Sequence, residues 1–348
     1  MDPSAETDKL NSKLQNLMKV HAALYMEMVP RALSYGESEG EQAIRAWMRD
    51  WGHWRGREMH KGHRSVGYPI DVESAIRHWD NASTHHLGDA WTSMCSFSPL
   101  RSVTPIPNID ECFHAQVFRE HDFWRWGHVF CDELHQSVVS AYRSGAAVVI
   151  PVTLMKKGDE SCQFLWVASP STETEDSEAD EDEHLERYRR LWAHSNPAEE
   201  AAACMARAQR IGAGLWHFMC AAMETLDGQG SEEACRDALR SASVMRGGWL
   251  KELHDDLELP IAPSTFLGEY DQVLSLSEMR SDDRSATAVV ASCAMDDVWG
   301  ELGGRKYGCF YCEESYRAAL SSYLPEASLE LVTARCRGDD RCEMVVGL

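Results

Sequence analysis

The sequence predicts an α+β protein built from two related domains, each with N-terminal helices followed by a small antiparallel sheet that carries a helix. Three observations support this fold class. The two halves of the 348-residue chain resemble each other, an acidic run separates them, and helical periodicity gives way to short apolar runs within each half.

The internal duplication consists of ordered identities at a nearly constant offset. Nine residues between positions 22 and 56 recur 191 positions later, including Arg45 at Arg236 and Gly56 at Gly247. Farther along the offset is 181, and the matched pairs there include Cys112 with Cys293, Cys131 with Cys312, and Glu133 with Glu314. Matched cysteines in the same order indicate a tandem repeat.

The two copies meet at an acidic linker. Nine of the sixteen residues over 171–186 are Asp or Glu and none is Lys or Arg, a composition that repels itself and has little to bury. We therefore predict a first copy over 1–170, a linker over 171–190 and a second copy over 191–348.

In the first copy, the apolar spacing predicts helices over 14–33 and 39–60, joined at a turn. Trp47, Trp51 and Trp54 follow an i, i+4, i+7 spacing on the second helix, which places them on one face, most simply as core aromatics. The rest of the copy is predicted to hold a strand over 109–118, a helix over 129–143, and strands over 146–154 and 162–168.

The second copy repeats this plan. The sequence predicts helices over 205–226 and 231–254, a strand over 286–293, a helix over 312–323, and strands over 328–335 and 342–346. We expect the two copies to pack on each other, or the chain to form a homodimer.

Composition restricts the partners. The formal net charge of −22 argues against nucleic acid and anionic membrane surfaces, and no apolar run is long enough to span a bilayer. Twelve cysteines without a signal-like N-terminus favour reduced thiols and a cytoplasmic location. Motifs for dinucleotides, nucleotide phosphates, HExxH metal sites and GxSxG nucleophiles are absent from the sequence.

Each copy carries a cysteine separated by five residues from an aromatic residue, then a Cys-(Asp/Glu)-Glu triplet, with Gly-Asp-x-x-Cys near its end. The second copy contains CAMDDVWGELGG, CEESYRAAL and LELVTARCRGDDRCEM. This pattern resembles the L-2-amino-thiazoline-4-carboxylic acid hydrolase family. More distantly, the C-terminal cysteine pattern is similar to the 4-vinyl reductase type of sensor domain.

The resemblance implies a small-molecule hydrolase that opens a cyclic amidine at its C=N carbon. Water or a thiol would attack that carbon, a base would take a proton, an acid would protonate the leaving atom, and an arginine could hold the carboxylate. No cofactor is required for this reaction. The chain departs from the simple pattern because it is doubled and its copies differ at site positions.

Cysteines of the second copy have the spacing of a zinc site. Cys309 and Cys312 form a CxxC pair, and Cys336 and Cys342 follow, so that four thiolates could bind zinc tetrahedrally. In the first copy His128, Cys131 and Cys162 remain but Lys156 replaces the fourth ligand, which would leave an open position. The 4-vinyl reductase resemblance also implies zinc in this region; buried thiols are the alternative.

Histidines concentrate in the first copy and indicate where chemistry would occur. Cys112 or Cys131 is the candidate nucleophile and His114 or His128 the candidate base, because imidazole transfers protons near neutral pH and can raise the thiolate fraction of a cysteine. We expect Glu133 to orient the base. The expected substrate-binding side chains are those of Arg143, Trp54 and His53.

Two other functions fit the same residues. One is a non-hydrolytic cyclase or isomerase of specialised metabolism on the same fold. The other is a non-catalytic protein that binds a ligand, similar to the 4-vinyl reductase sensors; no DNA-binding or ATPase segment is evident in the sequence. The sequence does not name the substrate.

Overall fold

The computed structural model describes residues 3–68, 70–71, 74–75, 103–105, 112–152, 163–168, 197–270 and 275–348. The acidic linker predicted over 171–190, and with it the exact domain boundaries, lies outside these ranges, as do Lys156 and Cys162. Within them, the α+β class with two related halves is confirmed. We refer to residues before the linker as the N-terminal half and those after it as the C-terminal half.

The N-terminal half begins with two long helices, α1 (Pro3–Leu33) and α2 (Glu37–Val66). Helices α3 (Phe113–Glu120) and α4 (Trp124–Tyr142) follow. Strands β1 (Val103–Pro105), β2 (Ala146–Val152) and β3 (Gln163–Ala168) form an antiparallel sheet in the order β1-β3-β2, with Ala146 opposite Ala168.

The C-terminal half has the same order of elements. Helices α5 (Pro197–Asp227) and α6 (Ser231–Asp256) precede a short α7 (Pro263–Gly268), and α8 (Ala294–Glu301) and α9 (Arg305–Tyr323) match α3 and α4. Strands β4 (Ser275–Ser281), β5 (Ser285–Ser292), β6 (Ser328–Thr333) and β7 (Cys342–Gly347) form an antiparallel sheet in the order β4-β5-β7-β6. Its last three strands repeat the order of the first sheet.

One predicted element is wrong. The segment over 109–118 was expected to contain a strand, but the structure begins α3 at Phe113. Ala115 and Phe118 recur at i and i+3 and are both buried, and the Phe118 ring packs edge-on against Tyr25 of α1 at 5.8 Å. This spacing suits a helix face rather than an alternating strand. Helices α7 and α8 and strand β4 were not predicted.

Equivalent contacts hold each half together. The Tyr25 hydroxyl donates to the Trp126 carbonyl at 2.9 Å in one half, and the Trp216 indole donates to the Tyr307 carbonyl at 3.2 Å at the same positions of the other. His63 Nδ1 lies 2.7 Å from the Tyr142 hydroxyl, and His254 Nδ1 lies 2.8 Å from that of Tyr323. The histidine–tyrosine pair is identical in both halves. Tyr25 and Trp216 differ, yet each donates to the carbonyl at the matched position.

The two halves share a large hydrophobic core, and a second buried cluster lies within the C-terminal half. Helix α1 packs against α5 and α6, and α2 packs reciprocally against α5, which is the pattern of a two-fold dimer made within one chain. Trp51, buried on α2, donates its indole N–H to the Ile211 carbonyl of α5 at 3.0 Å. The cluster of buried side chains at this junction draws on both halves, for example Val20 and Trp47 with Leu215 and Met219.

Within the described ranges, no helix combines the length and apolarity needed to cross a bilayer. The long helices are amphipathic or interrupted by charge, and their apolar faces are used against one another.

Two equivalent glycines set the closest helix crossings. A Cβ on Gly56 would lie 2.3 Å from the Val138 carbonyl oxygen, and one on Gly247 would lie 2.0 Å from the Ala319 carbonyl oxygen, at matched positions of α4 and α9. We expect Gly56→Ala and Gly247→Ala each to lower the free energy of unfolding by about 1–3 kcal/mol, since the helices must separate. Chemical denaturation measures the change.

Gly248 provides the matched control, because nothing lies within 4 Å of a Cβ at that position on the same helix. Gly248→Ala should instead raise the free energy of unfolding by about 0.5–1 kcal/mol, as expected for alanine in an open helical position. If Gly247→Ala were as stable as Gly248→Ala, the close crossing of α6 and α9 would be wrong.

Candidate functional site

The candidate nucleophiles lie on neighbouring helices of the N-terminal half. Cys112 is half-buried and is the residue immediately before α3; its backbone angles, φ −140 and ψ 114, are the same as those of Cys293 before α8. Cys131 is buried on α4, next in sequence to Phe130. The repeat therefore places Cys112 and Cys293 at the same structural position, immediately before a helix. In the C-terminal half, burial raises the pKa of the Cys293 thiol to about 11, which keeps it protonated at neutral pH.

His114 is buried on α3, with 8% of its surface exposed. Its ring packs against Phe130 at 5.1 Å, and its Nε2 has no hydrogen-bond partner among the described residues. Burial lowers the pKa of His114 to about 3, and the charges of Arg55 and His135 act in the same direction. The imidazole is therefore neutral at physiological pH and is poorly matched to the role of general base, for which the pKa should lie near the working pH.

His21 was missed by the sequence analysis and lies beside His114. It is on α1 with 2% exposure, its ring centroid is 6.2 Å from that of His114, and its Nε2 also has no partner among the described residues. Burial holds its pKa well below the usual range, with further contributions from His114, Arg55 and Arg246. A histidine within an apolar helical stretch was the available signal.

His135 and His128 lie on α4, seven residues apart. His135 Nδ1 is 2.7 Å from the Cys131 carbonyl oxygen, so that this nitrogen carries the proton and, in the neutral ring, Nε2 is the acceptor. His128 is half-buried and lies near Asp132. Burial raises the pKa of the Asp132 carboxyl, and the nearby His128 lowers it in part. His135 thus has the tautomer that a general base requires, although the sequence analysis named His128 for that role.

Among the described residues, the partners of Glu133 are arginines rather than a histidine. Its two carboxylate oxygens accept hydrogen bonds from Arg45 at 2.7 Å and from Arg49 at 3.1 Å, which ties α4 to α2. Glu314 makes the same tie to Arg236 and Arg240 in the C-terminal half, at 2.9 and 3.1 Å. Because both halves keep this arrangement, its role is to hold the helices.

The expected substrate-binding residues are dispersed. Trp54 is buried against α5, where a Cβ on Gly214 would lie 2.4 Å from its ring. Its ring centroid is 6.5 Å from that of Phe218. Trp54 therefore packs the junction between the halves. Arg143 is half-buried at the end of α4, and His53 is half-buried on α2. Among the described residues, no hydrogen bond joins Arg143 or His53 to the candidate catalytic side chains.

The predicted zinc ligands of the C-terminal half form a thiol cluster. Cys336 receives hydrogen bonds from the thiols of Cys312 and Cys309, and these lower its pKa to about 7. Cys293 and Cys342 lie close enough to Cys312 to raise its pKa further. Within the described ranges, no three His, Cys, Asp or Glu side chains lie in an arrangement that could hold a metal ion, so zinc stays a prediction.

A buried carboxylate adjoins this cluster. Asp296, in the first turn of α8, is almost fully buried and forms ion pairs with Arg335 at 3.4 Å and Arg305 at 3.6 Å. Its counterpart in the N-terminal half is Ala115. The two halves therefore differ in the charge that they bury in this region. The C-terminal half has a carboxylate beside thiols, and the N-terminal half has histidines.

No protein-family model matches the chain, and neither the curated proteins nor the solved structures gave a match.

The low pKa values of His114 and His21 predict acid sensitivity. Both rings stay neutral when folded but bind a proton in the unfolded chain below about pH 6.5, so stability should fall as pH decreases from about 6.5 toward 3. Each histidine contributes up to about 1.4 kcal/mol per pH unit. Denaturant titrations between pH 7 and 5 measure the slope.

His114→Met, which introduces the residue found at the matched position 295, should flatten this slope. Met295→Leu, at that matched position on α8, is the control, because neither side chain binds a proton and the slope should stay unchanged. A His114→Met slope equal to that of the unaltered chain would contradict the neutral state of His114.

Proposed function

We propose that the chain is a small-molecule enzyme that opens the ring of an amino-acid-derived cyclic amidine by hydrolysis, with its chemistry in the N-terminal half. The observation that carries this proposal is the divergence of the halves within a shared framework. The ties through Glu133 and Glu314 are retained in both. The N-terminal half alone places a buried histidine, His114, on the helix that begins after the shared cysteine.

A neutral His114 would act by hydrogen bonding rather than by taking a proton. An uncharged imidazole can donate from Nε2 to a ring nitrogen as negative charge develops there, which is an electrophilic role. Its burial among Phe130 and other apolar side chains strengthens such a hydrogen bond. The base would then be His135, whose Nδ1 is fixed by the Cys131 carbonyl, or His128.

The reaction balances with these groups. Water adds to the C=N carbon, and the base passes one of its protons to the ring nitrogen. The carbon–sulfur bond then breaks as the new hydroxyl becomes a carbonyl, and the hydroxyl proton goes to the sulfur, which becomes a thiol. In the covalent alternative the thiolate of Cys112 or Cys131 adds first and water later displaces it. The product in either case is an open-chain carbamoyl amine that carries one new thiol.

The test is incubation with 2-amino-thiazoline-4-carboxylate in excess, with the open-chain thiol product measured by mass spectrometry. Under the covalent mechanism Cys112→Ala or Cys131→Ala should lower kcat by about two orders of magnitude or more, because the nucleophile is removed. Cys220→Ala, at a buried thiol of α5 outside the site, should retain the rate.

If the unaltered chain formed product no faster than buffer, the hydrolase proposal would fail. If it formed product and both cysteine variants kept the full rate, direct attack by water would replace the covalent alternative.

We further infer that the thiol cluster of the C-terminal half binds zinc in a structural role. The support is its chemistry: the thiols of Cys309 and Cys312 both hydrogen-bond Cys336, and Cys342 and Cys293 lie near Cys312. Binding would replace thiol hydrogen bonds by thiolate–metal bonds. Cys293 is a fifth thiol beside the predicted four, and a tetrahedral zinc site would use only four of the five.

Elemental analysis of purified protein should then find about one zinc per chain, because a closed thiolate site holds its metal. Cys312→Ser should lose it, whereas Cys235→Ala, at a buried thiol on α6, should keep it. Less than about 0.2 zinc per chain in protein purified without chelator would exclude a structural site.

A non-catalytic ligand-binding function is the second candidate. The pKa of about 3 at His114 favours it, because a ring that stays neutral serves recognition better than proton transfer. Turnover of the thiazoline substrate separates the two functions.

We also infer a cytoplasmic location. Nine of the cysteines in the described ranges form no disulfide, as a reducing compartment would leave them.

A further inference from the structure

Two histidines at the junction of the halves have buried nitrogen atoms with unused hydrogen-bonding capacity. His21 and His114 come from α1 and α3, their rings are 6.2 Å apart at an interplanar angle of 28°, and the Nε2 atom of each has no partner among the described residues. A buried polar atom without a partner destabilises a fold, and such atoms are rare in native proteins unless water or a ligand satisfies them.

The C-terminal half makes room for one of these rings. The residue matched to His21 by the 191-residue offset is Gly212, and a Cβ there would lie 2.4 Å from His21 Nε2. A larger side chain at the matched position would displace the imidazole. The matched positions thus hold a histidine in one half and a glycine in the other, and the glycine leaves space for the histidine ring. Residues of both halves therefore line the same buried region.

The charges around the histidines favour an anion. Arg55 acts electrostatically on both rings, and Arg246, its counterpart in the C-terminal half, acts on His21. Both arginines are buried, Arg55 at 5.3 Å from the Trp51 ring and Arg246 at 4.3 Å from the Tyr270 ring. The other titratable group that acts on this pair is His135, which acts on His114. The titratable side chains that act on the two rings are thus arginines and histidines, and none is acidic.

We propose that His21 and His114 form a buried binding site, shared by both halves, for the carboxylate of a small molecule. Each neutral imidazole would donate an Nε2–H hydrogen bond to a carboxylate oxygen, and the two arginines would stabilise its charge. In the thiazoline substrate the carboxylate lies beside the ring nitrogen, so the single Nε2–H of His114 would be shared between the two acceptors. The site assigns a binding role to His21 and to Gly212. It rests on the proposed function only where this carboxylate is identified with that of the thiazoline substrate.

Calorimetric binding tests the site independently of turnover. The probes are 2-amino-thiazoline-4-carboxylate and the carboxylate-free 2-amino-thiazoline. We expect the first to bind and the second to bind at least about tenfold more weakly, because a hydrogen bond to a charged group is lost. If the unaltered chain binds neither, or both equally, the carboxylate site is excluded.

Three variants separate binding from packing. His21→Leu should weaken binding by about tenfold or more and raise the thermal midpoint by about 2–4 °C, because an unpartnered polar atom is replaced by an apolar one. Gly212→Ala should weaken binding similarly by displacing His21, whereas Gly248→Ala, open to solvent on α6, should bind like the unaltered chain.

The outcomes distinguish this site from the proposed reaction. Binding that depends on His21 without any turnover supports the site and contradicts the hydrolase. Turnover and affinity that are unchanged in His21→Leu support the hydrolase and overturn the site. If His21→Leu does not fold, His114→Met is the second variant, and unchanged affinity there overturns the site equally.

Discussion

The close packing of α1 and α2 against α5 and α6 is the contact on which the rest of the structure depends. The apolar faces of α1 and α5 are buried against each other, whereas α2 and α6 also pack within their own halves, against α4 and α9. Gly214 admits the Trp54 ring to this junction, as Gly212 admits His21. Burial of side chains this large supplies most of the stabilisation, and its close fit makes the junction intolerant of added volume.

Because both halves contribute to this junction, the two copies can keep the same framework and differ at their site positions. Contacts that hold helices are repeated with different side chains: Tyr25 and Trp216 are not alike, yet each donates to the equivalent carbonyl. Positions that do not hold helices have diverged, so that Asp296 lies where the other half has Ala115 and Met295 lies where it has His114. Because the framework is carried by both copies, either site can change without loss of the fold.

Periodicity and repetition predict most of the helices and strands, because the long helices and the last strands carry strong apolar patterns. They fail at α3, where eight residues give little more than two turns and the alternating apolar residues Phe113, Ala115 and Val117 are easily taken for a strand. The candidate site was less predictable. Glu133 was read from its place beside Cys131, but its partners, Arg45 and Arg49, are 88 and 84 residues away and only the folded chain brings them together.

His21 shows what sequence reasoning lacked. A buried histidine on an apolar helix is usually satisfied by a neighbour, and nothing local to its sequence says that its Nε2 faces a glycine of the other copy. The same burial that keeps His21 and His114 uncharged makes them costly to retain, since an apolar side chain would fit there with fewer unmet hydrogen bonds. Natural proteins keep locally unfavourable residues mainly where function requires them. The instability of this pair is therefore itself an argument that the junction between the copies, and not either copy alone, holds the ligand.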